Sequence, residues 1–369
     1  MNVKNIRLIN FRNYHNISVE FNKNINIFIG KNAQGKTNLL EAIHMCSAGK
    51  SFRSNRDKEI INFEKDEAYI GTDVETKIYD KFVELKLNRE KSKIIRINKI
   101  EIKNLKELDT SLSVVVFRPD DLKLVKDGPN ERRSFLDQGI SQIKPVYNYN
   151  INRYNKILFQ RNNLLKSCRL NRKQISLLDV FDVQISKIGA SIVLERHKFI
   201  DELSKNCKAI HNKLTSNKED LIVKYHSNIP ILKTKDEIEK QYYSMLKNNL
   251  NLDIENGTSQ IGPHRDDILF YINGKEVKTF GSQGQQRTLV LTLKLSEVDL
   301  IKKEKDSYPV VLLDDVFSEL DDERRKYLTK YFNEMQVFIT ATDAADIKSI
   351  ENYNKSIYYI ENGKIYKRS

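Results

Sequence analysis

Residues 30–38 have the types and the spacing needed to bind a chain of phosphates. They read Gly-Lys-Asn-Ala-Gln-Gly-Lys-Thr-Asn. The glycines let successive backbone N–H groups turn inward on phosphate oxygens, Lys36 reaches the β and γ phosphates, and the Thr37 hydroxyl ligates magnesium. The segment therefore predicts a site for a nucleoside triphosphate with Mg²⁺. The residues predicted to bind the nucleotide are Gly30, Lys31, Asn32, Ala33, Gln34, Gly35, Lys36, Thr37 and Asn38.

Two adjacent carboxylates follow an apolar run at residues 309–313. The run predicts a buried parallel strand, and the end of such a strand suits magnesium coordination by Asp314 and water activation by Asp315. A hydrophobic strand that ends in Asp is common in α/β proteins, so the pair alone is weak evidence. Taken with the phosphate loop, it predicts Lys36 and Asp315 as catalytic residues and Thr37 and Asp314 as Mg²⁺ ligands.

A second candidate phosphate site is the segment Phe-Gly-Ser-Gln-Gly-Gln-Gln-Arg at residues 280–287. It precedes a helical pattern of leucines, so Ser282 and Gly284 lie at a predicted helix N-terminus. Unpaired backbone N–H groups and the positive end of the helix favour a phosphate there. Ser282, Gly284 and Gln285 are therefore further candidates for nucleotide binding.

Three other residues are candidates for contact with the nucleotide, and each has a structural alternative. Arg12 lies in a loop between strand-like segments at 3–10 and 17–21, where it could flank a ribose or a base. A polar strand connection is the simpler explanation of that loop. His264 and Arg265 follow a Gly-Pro pair and could contact a nucleotide, but a hydrogen-bonded loop pair explains them as well. Both alternatives stay open at the level of sequence.

The elements around these motifs predict an α/β protein. Residues 25–29 form an apolar strand before the phosphate loop, and a helical stretch begins at Thr37. Residues 68–103 alternate apolar and polar types in short runs, which predicts an antiparallel meander. Four consecutive apolar residues at 114–117 predict a fully buried strand.

Residues 129–251 have helical spacing instead, which is typical of amphipathic helices packed as a compact lobe or short arm. From about residue 261 the pattern returns to strands, with an Asn-Gly hairpin signature. We expect an α/β head with mixed sheets and helices, made of residues 1–120 and 255–369. Residues 121–254 form the expected inserted helical lobe.

The composition favours a polyanionic partner and a reducing compartment. The 369 residues carry a formal charge of +13, which favours DNA, although a low-GC genome raises Lys content without any function. Cys46, Cys168 and Cys207 are odd in number and lack His at metal-ligand spacing, so they indicate reduced thiols and no zinc site. No apolar run approaches membrane-spanning length. A cytoplasmic protein is expected.

Together the motifs resemble the ABC-type ATPases of the SMC and DNA-repair branch. Those proteins share a phosphate loop near the N-terminus, a Ser-x-Gly-Gln signature, an acidic strand and a following Ser-x-Leu-Asp, which here lies at residues 318–321. The chain resembles the RecF family of bacterial recombination mediators in particular, over essentially its whole length. The most specific stretches are residues 10–14, 30–38, 117–122, 128–137, 262–267 and 281–287.

The resemblance implies that ATP joins two heads, because in that superfamily the signature binds the γ-phosphate held by the opposite subunit. It also implies a DNA-binding protein of recombinational repair and replication. Its task would be to load recombinase onto gapped DNA after replication damage, with SOS induction downstream, and its DNA partners would be single-stranded and duplex. RecR and RecO are the partners that the resemblance implies.

The chain departs from the wider superfamily at three positions. Residues 337–343 read Val-Phe-Ile-Thr-Ala-Thr-Asp, without the switch histidine of ABC transporters, and Asp315 replaces their Glu. Both changes predict slow hydrolysis, that is, a weak ATPase used as a switch. Thr340 or Asp343 could replace the switch residue. Phe52 stands where RecF relatives tend to have His, which weakens any role for that loop.

Three rival functions differ from this one by sequence features. A transporter ATPase would normally carry the switch histidine. An overcoming-lysogenization-type nuclease has a separate acidic metal-binding domain, for which 369 residues leave no room. A non-catalytic, ATP-dependent scaffold of the SMC-like class, without direct DNA binding, remains the alternative, and DNA binding measured with and without nucleotide distinguishes it.

Overall fold

The chain forms two compact units. Residues 1–121 and 297–369 make up the first unit, and residues 122–296 make up the second unit. No helix in the described part of the chain is long and apolar enough to cross a membrane. The structure, a computed structural model, describes residues 1–54, 56–103, 107–108, 111–317, 320–343, 350 and 353–368.

The described residues include strands that we number in chain order. The strands are β1 Asn2–Val3, β2 Asn5–Phe11, β3 Tyr14–Glu20, β4 Ile25–Ile29, β5 Glu67–Glu75, β6 Lys81–Asn88, β7 Ile94–Ile97, β8 Ile100–Glu101, β9 Val114–Phe117, β10 Leu221–His226, β11 Asp267–Ile272, β12 Lys275–Glu276, β13 Val310–Leu313, β14 Val337–Ala341, β15 Lys355–Glu361 and β16 Lys364–Arg368.

The helices are numbered in the same way. They are α1 Lys36–Ala48, α2 Lys123–Lys126, α3 Pro129–Ile143, α4 Pro145–Leu170, α5 Leu178–Leu214, α6 Lys235–Asn248, α7 Leu250–Asn256, α8 Val277–Phe280, α9 Gln283–Lys305 and α10 Asp322–Tyr331.

The strand before the phosphate loop, β4, lies inside a six-stranded sheet of the first unit. The strand order is β16-β15-β4-β14-β13-β9, and all neighbours are parallel except β15 and β16. Every residue of β4, β9, β13 and β14 is buried, as expected for parallel strands covered on both faces. The buried strands predicted at 25–29, 114–117 and 309–313 are confirmed. Their carboxyl ends lie at one edge of the sheet.

The other sheet of the first unit is antiparallel and seven-stranded. Its order is β3-β2-β5-β6-β7-β8, and β1 also pairs with β5. The meander predicted for residues 68–103 is therefore confirmed. Helix α1 contacts strands of both sheets, and its buried Leu39, Leu40 and Ile43 join them in one hydrophobic core. This packing fixes the helix that follows the phosphate loop.

The second unit is mostly helical, with a three-stranded antiparallel sheet in the order β10-β11-β12. The helical prediction for residues 129–251 is wrong at β10, whose sequence is Leu-Ile-Val-Lys-Tyr-His. These β-branched and aromatic residues pair with β11 along the full length of the strand. The partner strand lies about forty residues later in the chain, so local periodicity could not reveal it.

The boundary predicted at residue 255 also differs from the structure. Residues 255–296 belong to the second unit, whereas the sequence-based division assigned them to the head. Two interactions hold them there. Strand β11 pairs with β10, and the Arg132 guanidinium of α3 donates two hydrogen bonds to Asp267, at 2.6 and 2.9 Å.

All three cysteines are buried and free of disulfides. Cys46 belongs to α1 in the first unit, and Cys168 and Cys207 belong to the second unit. Burial raises the pKa of the Cys46 and Cys168 thiols, and it raises the pKa of Cys207 to about 12. The thiols are therefore protonated at neutral pH.

Candidate functional site

The phosphate loop is held in a curved conformation by its neighbours in the first unit. Gly35 has a φ of 116° and Ala33 a φ of 65°, both in the left-handed region. A Cβ at Gly35 would lie 2.8 Å from the Asn13 amide, so only glycine fits there. The Tyr14 hydroxyl donates to the Gly35 carbonyl at 2.9 Å, and the Asn13 amide donates to the Gln34 carbonyl at 2.8 Å.

The turn between β15 and β16 supports the loop from another direction. The backbone N–H of Asn362 donates to the Gln34 side chain at 2.5 Å, and that of Gly363 donates to the Gln34 carbonyl at 3.3 Å. The carbonyl of Ile360 lies only 2.4 Å from the position that a Cβ would take at Gly30. These contacts within the chain hold the loop in its curved shape.

Lys36 folds back across the loop. Its ammonium donates to the Gly30 carbonyl at 2.6 Å and to the Lys31 carbonyl at 3.2 Å. Only 4% of the residue surface is exposed. The cation therefore lies inside the curve of the backbone, which is the position needed to meet the β and γ phosphates of a nucleotide.

The acidic strand end lies directly beside the loop. The Thr37 hydroxyl donates to Asp314 Oδ1 at 2.8 Å, and Thr340 Oγ1 lies 3.1 Å from the same oxygen. The parallel strands β4, β13 and β14 bring these residues together at one sheet edge, although Thr37 and Thr340 lie 277 and 26 positions from Asp314 in sequence. The sequence predicted Thr37 and Asp314 as a metal-binding pair, and the structure places them in contact.

The oxygens of Thr37 and Asp314 suit Mg²⁺, which prefers hard oxygen ligands and usually keeps several waters or phosphate oxygens. Among the described residues there is no cluster of three or more His, Cys, Asp or Glu side chains that could hold a metal. Burial raises the pKa of Asp314, and the nearby Asp315 charge adds to the rise, while hydrogen bonds from Thr37 and Thr340 oppose it. A divalent cation would offset that cost of ionisation.

Asp315 has an unusual backbone conformation for a residue other than glycine. Its φ is 54°, and its N–H donates to Thr340 Oγ1 at 2.8 Å. Its carboxylate Oδ1 lies 3.1 Å from the same hydroxyl. Left-handed backbone at such a residue costs energy and often occurs at functional sites. Thr340 is buried and contacts both carboxylates, whereas Asp343 is exposed.

Arg12 makes a buried ion pair with Glu41 of α1. Its Nε and Nη2 donate to the two Glu41 carboxylate oxygens at 3.0 and 2.7 Å, and its Nη1 donates to the Glu59 carbonyl at 2.7 Å. The Glu41 side chain is fully buried and also accepts a hydrogen bond from the Ser51 hydroxyl. The guanidinium is thus engaged within the chain, and its contact with a nucleotide stays a prediction.

The Ser282 turn lies in the second unit, where α9 begins at Gln283 as the sequence indicated. The Ser282 hydroxyl accepts from the Gln285 N–H at 3.2 Å, and the Gln285 side chain accepts from the Ser282 N–H at 3.0 Å. This reciprocal pair is a capping box. Ser282 and Gly284 are exposed, and a Cβ at Gly284 would meet only the Ser282 hydroxyl, at 3.9 Å. The turn is open to a ligand.

His264 and Arg265 lie in the second unit. His264 Nδ1 is 2.7 Å from the Tyr154 hydroxyl, and its Nε2 is 3.0 Å from the Ser259 carbonyl. Burial lowers the pKa of His264 to about 4, so the imidazole is neutral at neutral pH. Arg265 donates to the same Ser259 carbonyl at 3.3 Å. These contacts fit the hydrogen-bonded loop pair, and nucleotide binding by the two residues stays a prediction.

The Ser-x-Leu-Asp segment is described only in part. Ser318 and Glu319 lie outside the described residues. Asp321 precedes α10, and its side chain accepts from the Arg324 N–H at 2.9 Å as an N-cap.

Sequence reasoning did not find the residues that support the motifs. Asn13 and Tyr14 brace the phosphate loop, Glu41 holds Arg12, and Glu219 accepts a hydrogen bond from Gln285 at 2.9 Å. Two signals were available: Asn13 and Tyr14 lie in the family-specific stretch 10–14, and the Asn-Gly pair at residues 362–363 indicates a tight hairpin. Nothing local showed which loop that hairpin would contact.

Comparison with known proteins gives a consistent result. Residues 2–365 match the family model described as the RecF/RecN/SMC N terminal domain. The chain is 45% identical over 368 residues to the DNA replication and repair protein RecF of Alkaliphilus oremlandii, covering 99% of this chain and 100% of the relative.

Solved structures show the same likeness. One is a structure of the recombination mediator protein RecF-ATP in the RecFOR pathway, with a TM-score of 0.93 and 34% identity over 100% of this chain and 98% of that chain. Another is an Smc head bound to the C-winged helix domain of ScpA, with a TM-score of 0.58 and 14% identity over 100% of this chain and 98% of that chain. The second likeness concerns the fold alone.

Proposed function

The chain belongs to the RecF/RecN/SMC N-terminal domain family, and from that premise we propose that it is an ATP-gated DNA-binding protein of DNA replication and recombinational repair. The observation that carries the proposal is the 2.8 Å contact between Thr37 of the phosphate loop and Asp314 at the end of β13. It joins the two motifs that an ATP site requires. The relative solved as RecF-ATP supports the choice of nucleotide.

In the proposed site, the loop N–H groups and Lys36 bind the phosphates, and Thr37 and Asp314 hold Mg²⁺. Mg²⁺ held by these residues would help to neutralise the charge of the phosphates. Asp315 orients the attacking water, and Thr340, between the two carboxylates, holds their side chains in place. Because the chain lacks a switch histidine and carries Asp rather than Glu at 315, hydrolysis is slow and serves to end the ATP-bound state.

ATP also joins two copies of the chain in this proposal. The exposed Ser282 turn supplies a hydroxyl and first-turn N–H groups for a phosphate held by the opposite subunit. An open helix start favours an anion such as a phosphate, because the first N–H groups of the helix lack backbone partners and the helix dipole is positive there. The dimer is therefore stable only while the nucleotide keeps its γ-phosphate.

The formal charge of +13 supports DNA as the partner of the ATP-bound dimer. By family membership, the task is to load recombinase at gapped DNA in the cytoplasm, with RecR and RecO as partners and SOS induction downstream. The alternative is an ATP-dependent scaffold that does not bind DNA directly. DNA affinity with and without ATP separates the two functions.

The first prediction separates ATP binding from dimerisation. Lys36→Met removes the cation inside the loop and should weaken ATP binding by about 100-fold, since charge-assisted hydrogen bonds contribute up to about 3 kcal/mol. Ser282→Arg fills the phosphate position on the other unit, so it should bind ATP normally and remain monomeric. Fluorescent-nucleotide titration measures the first effect, and light scattering with ATP measures the second.

Two control variants reproduce the charge changes of Lys36→Met and Ser282→Arg at other positions. Lys58→Met removes an exposed lysine of the first unit, and Asn251→Arg adds an arginine at an exposed position of α7. Both should bind ATP and dimerise like the original chain. Dimer formation by Ser282→Arg with unchanged affinity would contradict recognition between subunits, and ATP binding by a folded Lys36→Met protein with unchanged affinity would contradict the site itself.

A further inference from the structure

A series of hydrogen-bonded side chains supports the Ser282 turn in the second unit. The Gln285 amide donates to Glu219 Oε1 at 2.9 Å, and Glu219 Oε2 accepts from His211 Nε2 at 3.0 Å. His211 Nδ1 lies 3.2 Å from the Thr292 hydroxyl of α9. The His211 side chain is fully buried and the Glu219 side chain is 20% exposed. None of these contacts involves the phosphate loop.

The backbone places Glu219 firmly. After α5 ends, Ser216 and Asn217 both have left-handed φ values, 51° and 59°. The Asn217 N–H donates to the Asn212 carbonyl at 2.8 Å, which closes the turn. On the other side of Glu219, Asp220 exchanges hydrogen bonds with Asn273, at 2.8 and 3.0 Å. The carboxylate therefore has little freedom to move away from Gln285.

The donors and acceptors fix which way the Gln285 amide points. Its oxygen accepts from the Ser282 N–H at 3.0 Å and its nitrogen donates to Glu219. With the amide turned around, two donors would face each other at Ser282 and two acceptors would face each other at Glu219. A carboxylate at position 219 thus selects the orientation that completes the capping box.

We propose that Glu219 is a positioning residue for the Ser282 turn. It holds Gln285, and Gln285 holds the Ser282 backbone, so that the hydroxyl and the first N–H groups of α9 are arranged before they meet a phosphate of the opposite subunit. His211 secures Glu219 from the end of the long helix α5. The inference rests on the proposed function in one respect, namely that the turn binds a nucleotide across the dimer.

The test exchanges the two partners. Glu219→Gln places an amide N–H₂ group against one of the two donors to position 219, which are His211 Nε2 and the Gln285 amide. Gln285→Glu brings two carboxylates together. Each single variant should therefore weaken ATP-dependent dimerisation by about tenfold or more. In the double variant Glu219→Gln/Gln285→Glu, the carboxylate introduced on α9 still accepts from Ser282. The amide nitrogen introduced at position 219 donates to that carboxylate, and the amide oxygen at position 219 accepts from His211. Dimer affinity should then return to within about threefold of the original, because the full set of hydrogen bonds is restored.

Asp220→Asn is the matched control. Asp220 is the next residue, its carboxylate pairs with Lys208 at 2.9 Å on the surface, and both side chains are more than half exposed. This variant should dimerise like the original chain. ATP binding to the monomer, measured at protein concentrations too low for the dimer, should be unchanged in Glu219→Gln and Asp220→Asn, because the phosphate loop belongs to the other unit.

A second measurement does not depend on dimerisation. Amide hydrogen exchange of a peptide covering residues 279–288 should be faster in each single variant and normal in the double variant. Failure of the original chain to dimerise with ATP would overturn the proposed function, while the exchange data would still test the positioning. Single variants that keep original dimer affinity and exchange rates, or a double variant as impaired as the singles, would overturn the role of Glu219.

Discussion

Asp314, the proposed Mg²⁺ ligand, illustrates how a residue placed for binding can cost stability. Its side chain is buried beside Asp315, which raises its pKa above the ordinary value of 3.8, mainly through burial. A carboxyl with a raised pKa in the folded state binds its proton more tightly there than in the unfolded chain. Its favourable contribution is present below the ordinary pKa and is lost as the pH rises through the folded-state pKa. At neutral pH the carboxylate therefore destabilises the first unit until a cation binds.

Asp314→Asn should for this reason stabilise the nucleotide-free protein at pH 7, by on the order of 1 kcal/mol, because an amide oxygen can still accept from Thr37 without the cost of a buried charge. The same change should abolish the effect of Mg²⁺ on ATP binding. Denaturant unfolding across pH 3 to 8 measures the difference in free energy of unfolding, which should shrink toward zero below about pH 4.

Asp306→Asn is the control, because the pKa of Asp306 is shifted in the opposite direction to that of Asp314. Asp306 is exposed and its hydrogen bond with Lys77 lowers its pKa, so its removal should not stabilise the protein at any pH. If Asp314→Asn proved less stable than the original chain at pH 7, the hydrogen bonds of the carboxylate would outweigh its burial, and the expected trade-off would be refuted.

At the scale of residues, the sequence indicates candidate groups for a ligand more readily than it indicates the groups that contact other residues. The spacing of Lys36 and Thr37 after two glycines, and an acid after an apolar strand, carry their chemistry locally. The partner of Arg12, by contrast, is Glu41 on a helix 29 positions later. That pairing depends on how two elements pack, and no local pattern encodes it.

At the scale of elements, Arg161 joins three helical segments of the second unit. Its side chain is fully buried on α4. It donates to Asp182 of α5 at 2.8 Å, and to Asp253 of α7 and Ser259 at 2.7 Å each. A buried charge network of this kind contributes little net stability, but loss of its cation leaves the buried carboxylates with less compensation in a low dielectric.

Arg161→Met should therefore lower the free energy of unfolding of the second unit by about 3–5 kcal/mol. Methionine keeps most of the length of the side chain, so the loss reflects two buried carboxylates without their shared cation rather than a cavity. Among the described residues, Asp182 then keeps only Lys247, at 3.1 Å. Asp253 keeps the hydrogen bonds from the Asn249 amide and the Gln260 N–H. Chemical denaturation followed by circular dichroism measures the change. Arg169→Met, at an exposed position of the same helix, should change the free energy by less than about 0.5 kcal/mol; equal effects of the two variants would show that the network is not the cause.

Helices and strands were predictable where the apolar pattern that defines them lies within a short stretch of sequence. The strand at residues 25–29 matches β4 at both ends, and the meander and the strand at 114–117 were found as well. Strand β10 was missed because it lies between helices and its partner β11 comes much later. The same long-range pairing moved residues 255–296 out of the expected head and into the second unit.

At the scale of the whole molecule, the charge of +13 leads to a prediction about DNA binding. If ATP brings two chains together, the dimer neutralises more phosphates than a monomer does and releases more counterions. Each additional phosphate contact should steepen the slope of log affinity against log salt by about 0.9 on duplex DNA. Fluorescence anisotropy with unrelated duplexes over a salt series, with and without ATP, measures the two slopes.

The monomeric variant Ser282→Arg is the control, and ATP should leave its slope unchanged. Equal slopes for the original chain in both states, or a strong preference for one duplex sequence, would contradict the ATP-gated dimer. Absence of DNA binding in both states would favour the scaffold.

The buried cysteines have a practical consequence for all of these experiments. An alkylating reagent attacks only a thiolate that it can reach, and each thiol here is both protonated and enclosed. Cys46 thus becomes alkylable only when the first unit opens, and Cys168 and Cys207 only when the second unit opens. Mass spectrometry of the labelled peptides would measure the rate of opening of each unit separately in the same sample. A single cysteine added on the surface could also be labelled with a fluorophore without removal of the three native cysteines.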